Sequence, residues 1–183
     1  MSTATELDVL AIVGERLEAL GRPYMLTGSF ALAYYATPRM TRDLDLVVEL
    51  SAGDVAPLVA AFERDFYVDA EAASQAVATR RLFNLMHLGS GVKIDLVVRK
   101  DEPYRRTEFA RRTRVELGSA SIWIVSREDL VLSKLAWARK SGSELQRRDV
   151  RALLEDAEVD AAYLRRWAPE LGVADSLEDA LRG

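Results

Sequence analysis

Apolar residues recur at two different spacings along the first third of the chain. In residues 6–20 they return every three or four positions, which predicts a helix with one buried face. Residues 24–27 are a short apolar run typical of a buried strand, and residues 28–36 follow as a helix. Residues 43–50 first alternate and then become apolar throughout, which predicts a strand with at least one face buried.

The middle of the chain continues with helices and strands in turn. The pattern predicts helices at residues 54–65 and 71–79. Strands are predicted at residues 82–88 and 92–99, joined by a Gly-Ser-Gly turn typical of a hairpin. One or two further strands are expected within residues 115–125.

Only helical spacing remains after that point. Ser126 and Ser143 each begin a capping-box pattern in front of an apolar helix. We therefore predict an α+β fold, a mixed β-sheet flanked by helices, with a core at residues 1–125. Residues 126–183 are predicted to form a C-terminal helical lobe that packs with the core as one unit.

Composition narrows the class of protein. The 183 residues include no cysteine, so disulfides and thiolate metal sites are excluded. Residues 1–10 lack the basic and apolar segments of a signal peptide. No apolar run approaches the roughly 20 residues needed to cross a bilayer. We expect a cytoplasmic protein with no membrane partner.

The charge pattern has one local exception. The net charge is −4, which provides no general attraction to nucleic acid. Residues 99–114, however, are markedly basic. Two interpretations stand: a solvated helix face with acidic partners of its own, or a docking strip for RNA or a triphosphate.

Candidate chemistry begins with two aspartates on the predicted strand at residues 43–50. Asp43 and Asp45 are two positions apart, so their side chains leave the same face of the strand. Carboxylates held close together repel each other, and a divalent cation removes that repulsion. Mg²⁺ prefers such oxygen ligands. The alternative is a pair that is merely solvated or engaged in salt bridges.

A third aspartate and a glycine–serine corner complete the set. Asp95 lies in an otherwise apolar strand, where a carboxylate is costly unless it is paired or metal-bound. If the two strands are neighbours, three carboxylates converge and can hold the two cations of a phosphoryl-type transfer. Gly28 and Ser29 lie between a strand and a helix, either as an ordinary turn or as a phosphate-binding corner.

The order and spacing of these motifs resemble a known superfamily. The segments LTGSFALAYYATPRMTRDLDLVV and KIDLVV are similar to the Gly-Ser, D-h-D (h, apolar) and later Asp motifs of nucleotidyltransferases. Residues 39–45 resemble the branch that contains AbiEii-type toxins and small MNT-like antitoxin enzymes. The resemblance implies a nucleotidyltransferase fold, with Gly28 and Ser29 at the phosphates. It also implies Asp43, Asp45 and Asp95 as catalytic ligands of Mg²⁺, with Mn²⁺ as an alternative.

Four further polar residues are candidates for the site. Lys134 lies on an otherwise apolar helix surface, either as a snorkelling lysine or as a point charge on the triphosphate. Asp149 is expected to have a structural role, such as orienting Lys134 or an arginine. Arg39 and Arg42 flank the aspartate motif and either touch phosphate or pair with its carboxylates.

Histidine and tryptophan receive structural interpretations. His87 is the only histidine and cannot build a histidine metal site, although a neutral ring near Asp95 would serve as a base. Trp123, Trp137 and Trp167 are interpreted as core anchors rather than as base-stacking platforms.

Three functional hypotheses follow. The first is an Mg²⁺-dependent enzyme that moves a nucleoside monophosphate from a nucleoside triphosphate (NTP) to a hydroxyl of RNA, including tRNA, or of a protein. The basic strip favours RNA, and the enzyme would act with a cognate toxin or antitoxin. The second is a catalytically weak or inactive nucleotide-binding antitoxin or partner-binding module. The third is a structural protein whose acidic residues are coincidental.

Overall fold

A computed structural model describes residues 4–36, 43–118, 120–155 and 157–182. In these ranges the helices are α1 (Glu6–Ala19), α2 (Gly28–Tyr35), α3 (Val55–Phe62), α4 (Ala70–Thr79), α5 (Pro103–Ala110), α6 (Arg127–Ser141), α7 (Glu144–Leu154), α8 (Ala161–Leu171) and α9 (Ala174–Leu181). The strands are β1 (Tyr24–Thr27), β2 (Asp43–Val48), β3 (Phe66–Val68), β4 (Leu82–His87), β5 (Lys93–Val98), β6 (Thr113–Leu117) and β7 (Ala120–Ile124).

The strands form a seven-stranded mixed sheet in the order β3-β4-β5-β2-β1-β7-β6. β2 and β5 run parallel at its centre, and β1 runs antiparallel to β2 on the other side. β4 and β5 form the predicted antiparallel hairpin. The α+β class predicted from the sequence is confirmed.

Alternation along the two central strands separates an apolar face from a polar one. Successive side chains of a strand point to opposite faces. The apolar partners on one face are almost completely buried: Leu44, Leu46, Val48, Ile94, Leu96 and Val98. The aspartates of β2 and β5 therefore lie together on the opposite face.

Differences from the sequence prediction lie in short or irregular elements. The helix predicted at residues 54–65 is a 3₁₀ turn at Ala52–Asp54 followed by α3. The sequence analysis missed β3, whose three residues are too few to establish a period. It also gave no separate helix for α9 within the predicted C-terminal helical lobe.

The predicted caps of the C-terminal helices are present. Ser126 and Ser143 each accept a hydrogen bond from the third backbone N–H of the helix that follows, in α6 and α7. Asp129 in α6 is fully buried and accepts from Ser126, from Arg111 beyond α5 and from Tyr163 in α8. This carboxylate joins the C-terminal helices to the end of α5, while a domain boundary at residue 125 stays a prediction.

None of the helices in the described ranges combines the length and the apolar content needed to cross a lipid bilayer.

Candidate active site

The sheet register brings the acidic residues together. Asp45 on β2 is paired in register with Asp95 on β5, and Asp43 with Lys93. Register partners of neighbouring strands project from the same face, so Asp43, Asp45 and Asp95 share the polar face of the sheet. The structure thus places the three aspartates on one face of neighbouring strands, while their role as metal ligands stays a prediction.

The glycine–serine corner meets the same face. Thr27, the last residue of β1, is the register partner of Asp45. Gly28 follows with φ +68°, and a Cβ built on it would lie 2.7 Å from Asp45 Cγ. A side chain at position 28 would be strained by the backbone and would collide with the carboxylate. Ser29, the next residue, lies in the first turn of α2 and is buried, with 9% of its surface exposed.

Burial and electrostatic repulsion both act on the carboxylate of Asp45. Burial, together with the negative charges of Asp95 and Asp43, raises the pKa of Asp45 to about 6. The positive charges of Lys134 and Lys93 oppose that rise. Asp45 is therefore a partly buried carboxylate in a field that favours its neutral form, which is a common property of functional sites.

Asp95 is already engaged by two neighbours. Lys93 Nζ lies 2.8 Å from Asp95 Oδ1, and Asn84 on β4 donates to the same oxygen. The hydrogen bond to Asp95 is the main reason that the pKa of Lys93 is raised. Neither partner was identified from the sequence, although Lys93 lies two positions before Asp95 and so on the same strand face.

The donor set fits a cation shared with a ligand. Within the described ranges, no three acidic, histidine or cysteine side chains are grouped so that they could hold a metal ion by themselves. Mg²⁺ usually takes only one or two carboxylates and completes its shell with water and phosphate oxygens. Asp43 and Asp45 have that chemistry, and a cation would relieve the repulsion that raises the pKa of Asp45.

Lys134 reaches the site from α6. Its ammonium group is 4% exposed and lies 2.6 Å from Asp149 Oδ2 on α7, and it also donates to Gln146 at 3.2 Å. The positive charge of Lys134 acts on Asp45, as the pKa of that carboxylate shows. Lys134 is thus a buried, ion-paired lysine rather than a snorkelling one, and Asp149 orients it as the sequence analysis considered.

A cleft of about 490 Å³ joins these parts. Its volume lies in the range typical of small-molecule sites. Gly28, Ser29, Asp45, Asp95 and Lys134 all line it, so five of the predicted site residues face one space. Arg99, Lys100 and Arg105 come from the basic strip that the sequence analysis considered as a docking strip. Other lining residues were not predicted from the sequence as part of a site: Leu82, Val97, Leu130, Ser133, Trp137, Lys140 and Gln146.

A buried polar cluster forms part of the cleft wall. Arg105 Nη1 on α5 lies 2.8 Å from Glu108 Oε2 and 3.1 Å from Ser133 Oγ on α6. Ser133 in turn donates to Glu108 at 2.7 Å. Burial raises the pKa of Glu108, and Arg105 opposes that rise. The i,i+3 spacing of Arg105 and Glu108 was a signal in the sequence, but only the contact with α6 places the pair at the cleft.

The basic strip at residues 99–114 proves to be mostly paired. Arg99 contacts Glu49, Arg106 contacts Asp101, and Arg111 contacts Glu128 and Asp129. This agrees with a helix face that has its own acidic partners. Arg99, Lys100 and Arg105 nevertheless line the cleft, so one end of the strip faces the site.

The structural interpretation of His87 agrees with the structure and its alternative role as a base does not, whereas the interpretation of Trp137 as a core anchor is wrong. His87 is buried on the apolar face, where its ring packs 5.0 Å from Phe66 and Nδ1 lies 2.8 Å from Ser90 Oγ. It lies on the side of the sheet away from Asp95 and cannot act there as a base. Trp137 is not a core anchor, because its side chain is 59% exposed and lines the cleft.

Arg39 and Arg42, the two arginines proposed for phosphate, lie outside the described residues.

The fold and this cleft define a nucleotidyltransferase. Residues 15–175 match the family described as nucleotidyl transferase AbiEii toxin, type IV TA (toxin–antitoxin) system. Because the match spans most of the chain, the protein belongs to the AbiEii nucleotidyltransferase family. No curated protein sequence matches this chain.

Solved structures agree on the fold. An antigenic nucleotidyltransferase-like protein from Paracoccidioides brasiliensis is similar with a TM-score of 0.62 and 19% identity, over 100% of this chain and 94% of that one. ANT(2'')-Ia in complex with adenylyl-2''-tobramycin has a TM-score of 0.58 and 14% identity, over 91% of this chain and 96% of that one. The lincomycin-bound lincosamide antibiotic adenylyltransferase LnuA has a TM-score of 0.54 and 15% identity, over 85% of this chain and 100% of that one.

Proposed function

We propose that this nucleotidyltransferase uses Mg²⁺ to move a nucleoside monophosphate from an NTP to a hydroxyl group of RNA. The observation that carries the proposal is the register pair Asp45–Asp95 beside Gly28, which puts carboxylates and an approachable backbone corner in one cleft. Family membership supports the reaction class, and the site residues named below are part of the proposal.

Gly28 and Ser29 are proposed to hold the triphosphate. The missing side chain at Gly28 makes room for the Asp45 carboxylate, so the corner and the acidic cluster lie in direct contact. The N-terminus of α2 begins at Gly28 and supplies the positive end of the helix dipole, which favours an anion. Lys134 adds a positive charge whose position is set by Asp149.

Asp43, Asp45 and Asp95 are proposed as the metal ligands. Bound Mg²⁺, with two ions expected and Mn²⁺ as an alternative, would neutralise the triphosphate and lower the pKa of the attacking hydroxyl. Asp95 must exchange its contact with Lys93 to take part, and Lys93 is close enough to Asp95 to serve as its counter-ion until then.

The transfer itself is a single displacement. The acceptor oxygen forms a bond to the α-phosphorus, the bond from that phosphorus to the bridging oxygen breaks, and pyrophosphate leaves. The hydroxyl proton passes to a carboxylate of the acidic cluster or to solvent. The residues of the chain contribute mainly position and charge, which is typical of phosphoryl-type transfer.

Charge at the cleft favours RNA as the acceptor. Arg99, Lys100 and Arg105 place cationic groups along one end, and Lys140 is exposed at α6. RNA has a phosphate backbone, and its negative charges interact favourably with such cationic groups. A protein hydroxyl would gain less from them, and it remains an outcome of the test.

We also propose that the protein acts within a toxin–antitoxin system, as the description of its family indicates. Modification of an RNA acceptor would be the toxic activity, and a cognate partner would neutralise it. To test this proposal, the protein is expressed together with the product of the neighbouring gene, and we ask whether the two proteins purify together.

Label transfer tests the reaction. The purified protein is incubated with Mg²⁺ and each of the four α-³²P-labelled NTPs, together with total RNA or with protein from a cell lysate. We expect label in the RNA fraction with at least one NTP, and loss of label with EDTA.

The variants Asp45→Asn and Asp95→Asn are the controls and should transfer no label. If only the protein fraction is labelled, the acceptor is a protein rather than RNA. Absence of label in every fraction, with NTP binding intact, would favour the inactive nucleotide-binding antitoxin over the enzyme.

A further inference from the structure

The cleft contains an aromatic ring for which the proposed transfer has no role so far. Trp137 lies on α6, lines the cleft and is 59% exposed. An indole in water leaves a large apolar surface unburied, so an exposed tryptophan inside a concave site is a candidate ligand contact.

The other two tryptophans are occupied by contacts within the chain. Trp123 packs beneath Arg112, whose guanidinium lies 5.0 Å from the ring centroid. Trp167 packs against Tyr104 with centroids 5.5 Å apart. Among the described residues, Trp137 has no comparable ring or cation–π contact.

The position of Trp137 on α6 relates it to the proposed phosphate site. Lys134 comes three residues before it and Lys140 three residues after it, and all three line the cleft. A helix rises about 4.5 Å over three residues. Trp137 therefore lies roughly one turn along α6 from Lys134, whose charge acts on Asp45, and this spacing suits a base and its phosphates bound side by side.

The sheet offers apolar surface to the same space. Leu82 on β4 and Val97 on β5 are register partners, and both line the cleft. Leu82 is 46% exposed although it is a leucine. A flat apolar group in the cleft would cover Leu82, Val97 and Trp137 together.

We propose that Trp137 binds the nucleobase of the incoming NTP by stacking, while Lys134 and the Gly28–Ser29 corner bind its phosphates. The proposal rests on the proposed function, because it assigns the base to one end of the same site. Stacking is tolerant of base identity, since every base has a π-face. Trp137 would thus add affinity for nucleotides rather than select one base.

Calorimetry separates the base from the phosphates. ATP, GTP, CTP, UTP and inorganic tripolyphosphate are titrated into the wild type and into Trp137→Ala and Trp137→Phe, with Mg²⁺ present. One base–aromatic stack is worth about 1–3 kcal/mol, so Trp137→Ala should weaken NTP binding on the order of 5- to 150-fold. Trp137→Phe should retain most of the affinity, and tripolyphosphate should bind all three proteins equally.

Fluorescence gives a second measurement that does not depend on the stability of the alanine variant. In Trp123→Phe/Trp167→Phe, Trp137 is the only indole. Saturable quenching by NTPs, without quenching by tripolyphosphate, supports a stacked base. Tyr67→Ala is the matched surface control, because it changes an aromatic residue that is 62% exposed and does not line the cleft.

The outcomes distinguish the two proposals. If Trp137→Ala binds NTPs as tightly as the wild type, the stacking assignment is wrong while the nucleotide site stands. If the wild type binds neither NTPs nor tripolyphosphate, both proposals fall. If Trp137→Ala changes only RNA binding or self-association, the ring contacts an acceptor or a second copy instead, and the assignment is overturned.

Discussion

Gly28 lies against the carboxylate of Asp45, so closely that a Cβ at position 28 would be 2.7 Å from Asp45 Cγ. The contact joins the start of α2 to the centre of the sheet, and it requires both a positive φ and a missing side chain. We therefore expect a substitution that disturbs the proposed phosphate corner to disturb the acidic cluster as well.

Replacing Gly28 tests that dependence. Gly28→Ala should lose stabilisation by ATP and Mg²⁺ in thermal melting, because the added methyl group displaces Asp45 or the corner. The matched control is Gly21→Ala, where φ is +66° but no atom lies within 4 Å of the added Cβ. It should incur the backbone penalty of about 1–2 kcal/mol and keep the ATP response. An equal ATP response in both variants would contradict a role for the contact.

Removing one charge from the acidic cluster should raise stability while abolishing transfer. At neutral pH Asp45 is held ionised against burial and two neighbouring carboxylates, which raise its pKa to about 6. In EDTA we expect Asp45→Asn to gain about 2 kcal/mol in the free energy of unfolding. The measurement is urea denaturation at pH 7.5, with label transfer measured in parallel.

Asp43→Asn is the control for that gain. Asp43 is exposed, so its charge is better solvated and its replacement should change stability by less. A loss of stability in Asp45→Asn would show that the acidic cluster is not under electrostatic strain.

The ion pair of Lys134 and Asp149 should be important for folding as well as for binding. Both side chains are about 4–5% exposed, so removing either one leaves a buried charge with a weakened partner set. Lys134→Met and Asp149→Asn should each cost about 3–5 kcal/mol in urea denaturation. The double variant Lys134→Met/Asp149→Asn, which combines the two single changes, should lose less than the sum of their costs without recovering NTP binding.

The exposed pair Arg165–Glu178 provides the comparison, because Arg165→Met removes a solvated ion pair and should cost far less. Additive losses in the double variant of Lys134 and Asp149 would mean that the two residues act independently.

Arg105 is expected to affect the acceptor more than the nucleotide. It lines the cleft at the cationic end, and its partner Glu108 keeps a hydrogen bond from Ser133 when Arg105 is changed. Arg105→Gln should weaken RNA binding and reduce the slope of log K against log salt concentration by about 0.7. Calorimetry should show unchanged NTP affinity.

Arg106→Gln is the control on the same helix, since Arg106 pairs with Asp101 and does not line the cleft. Equal effects of the two changes on RNA binding would indicate general electrostatics rather than a contact in the cleft.

The sequence was sufficient for most of the helices and strands and for the aspartate motif, because these depend on local periods. Alternation in β2 and β5 determines which residues share a face, and that period of two was visible at Asp43, Asp45 and Asp95. Turn and cap residues such as Gly28 and Ser126 likewise act within a few positions of themselves.

Tertiary structure alone decided which distant side chains share the cleft. Whether β5 lies beside β2, and in which register, depends on pairing between residues 50 positions apart, such as Asp45 and Asp95. The packing of α6 and α7 likewise buries Lys134 with Asp149.

The placement of Trp137 and His87 shows the same limit. Both belong to amphipathic elements, but only the packed neighbours determine which face is covered. Burial is a property of the assembled fold, so an exposed indole in the cleft and a buried histidine behind it could not be read from local spacing.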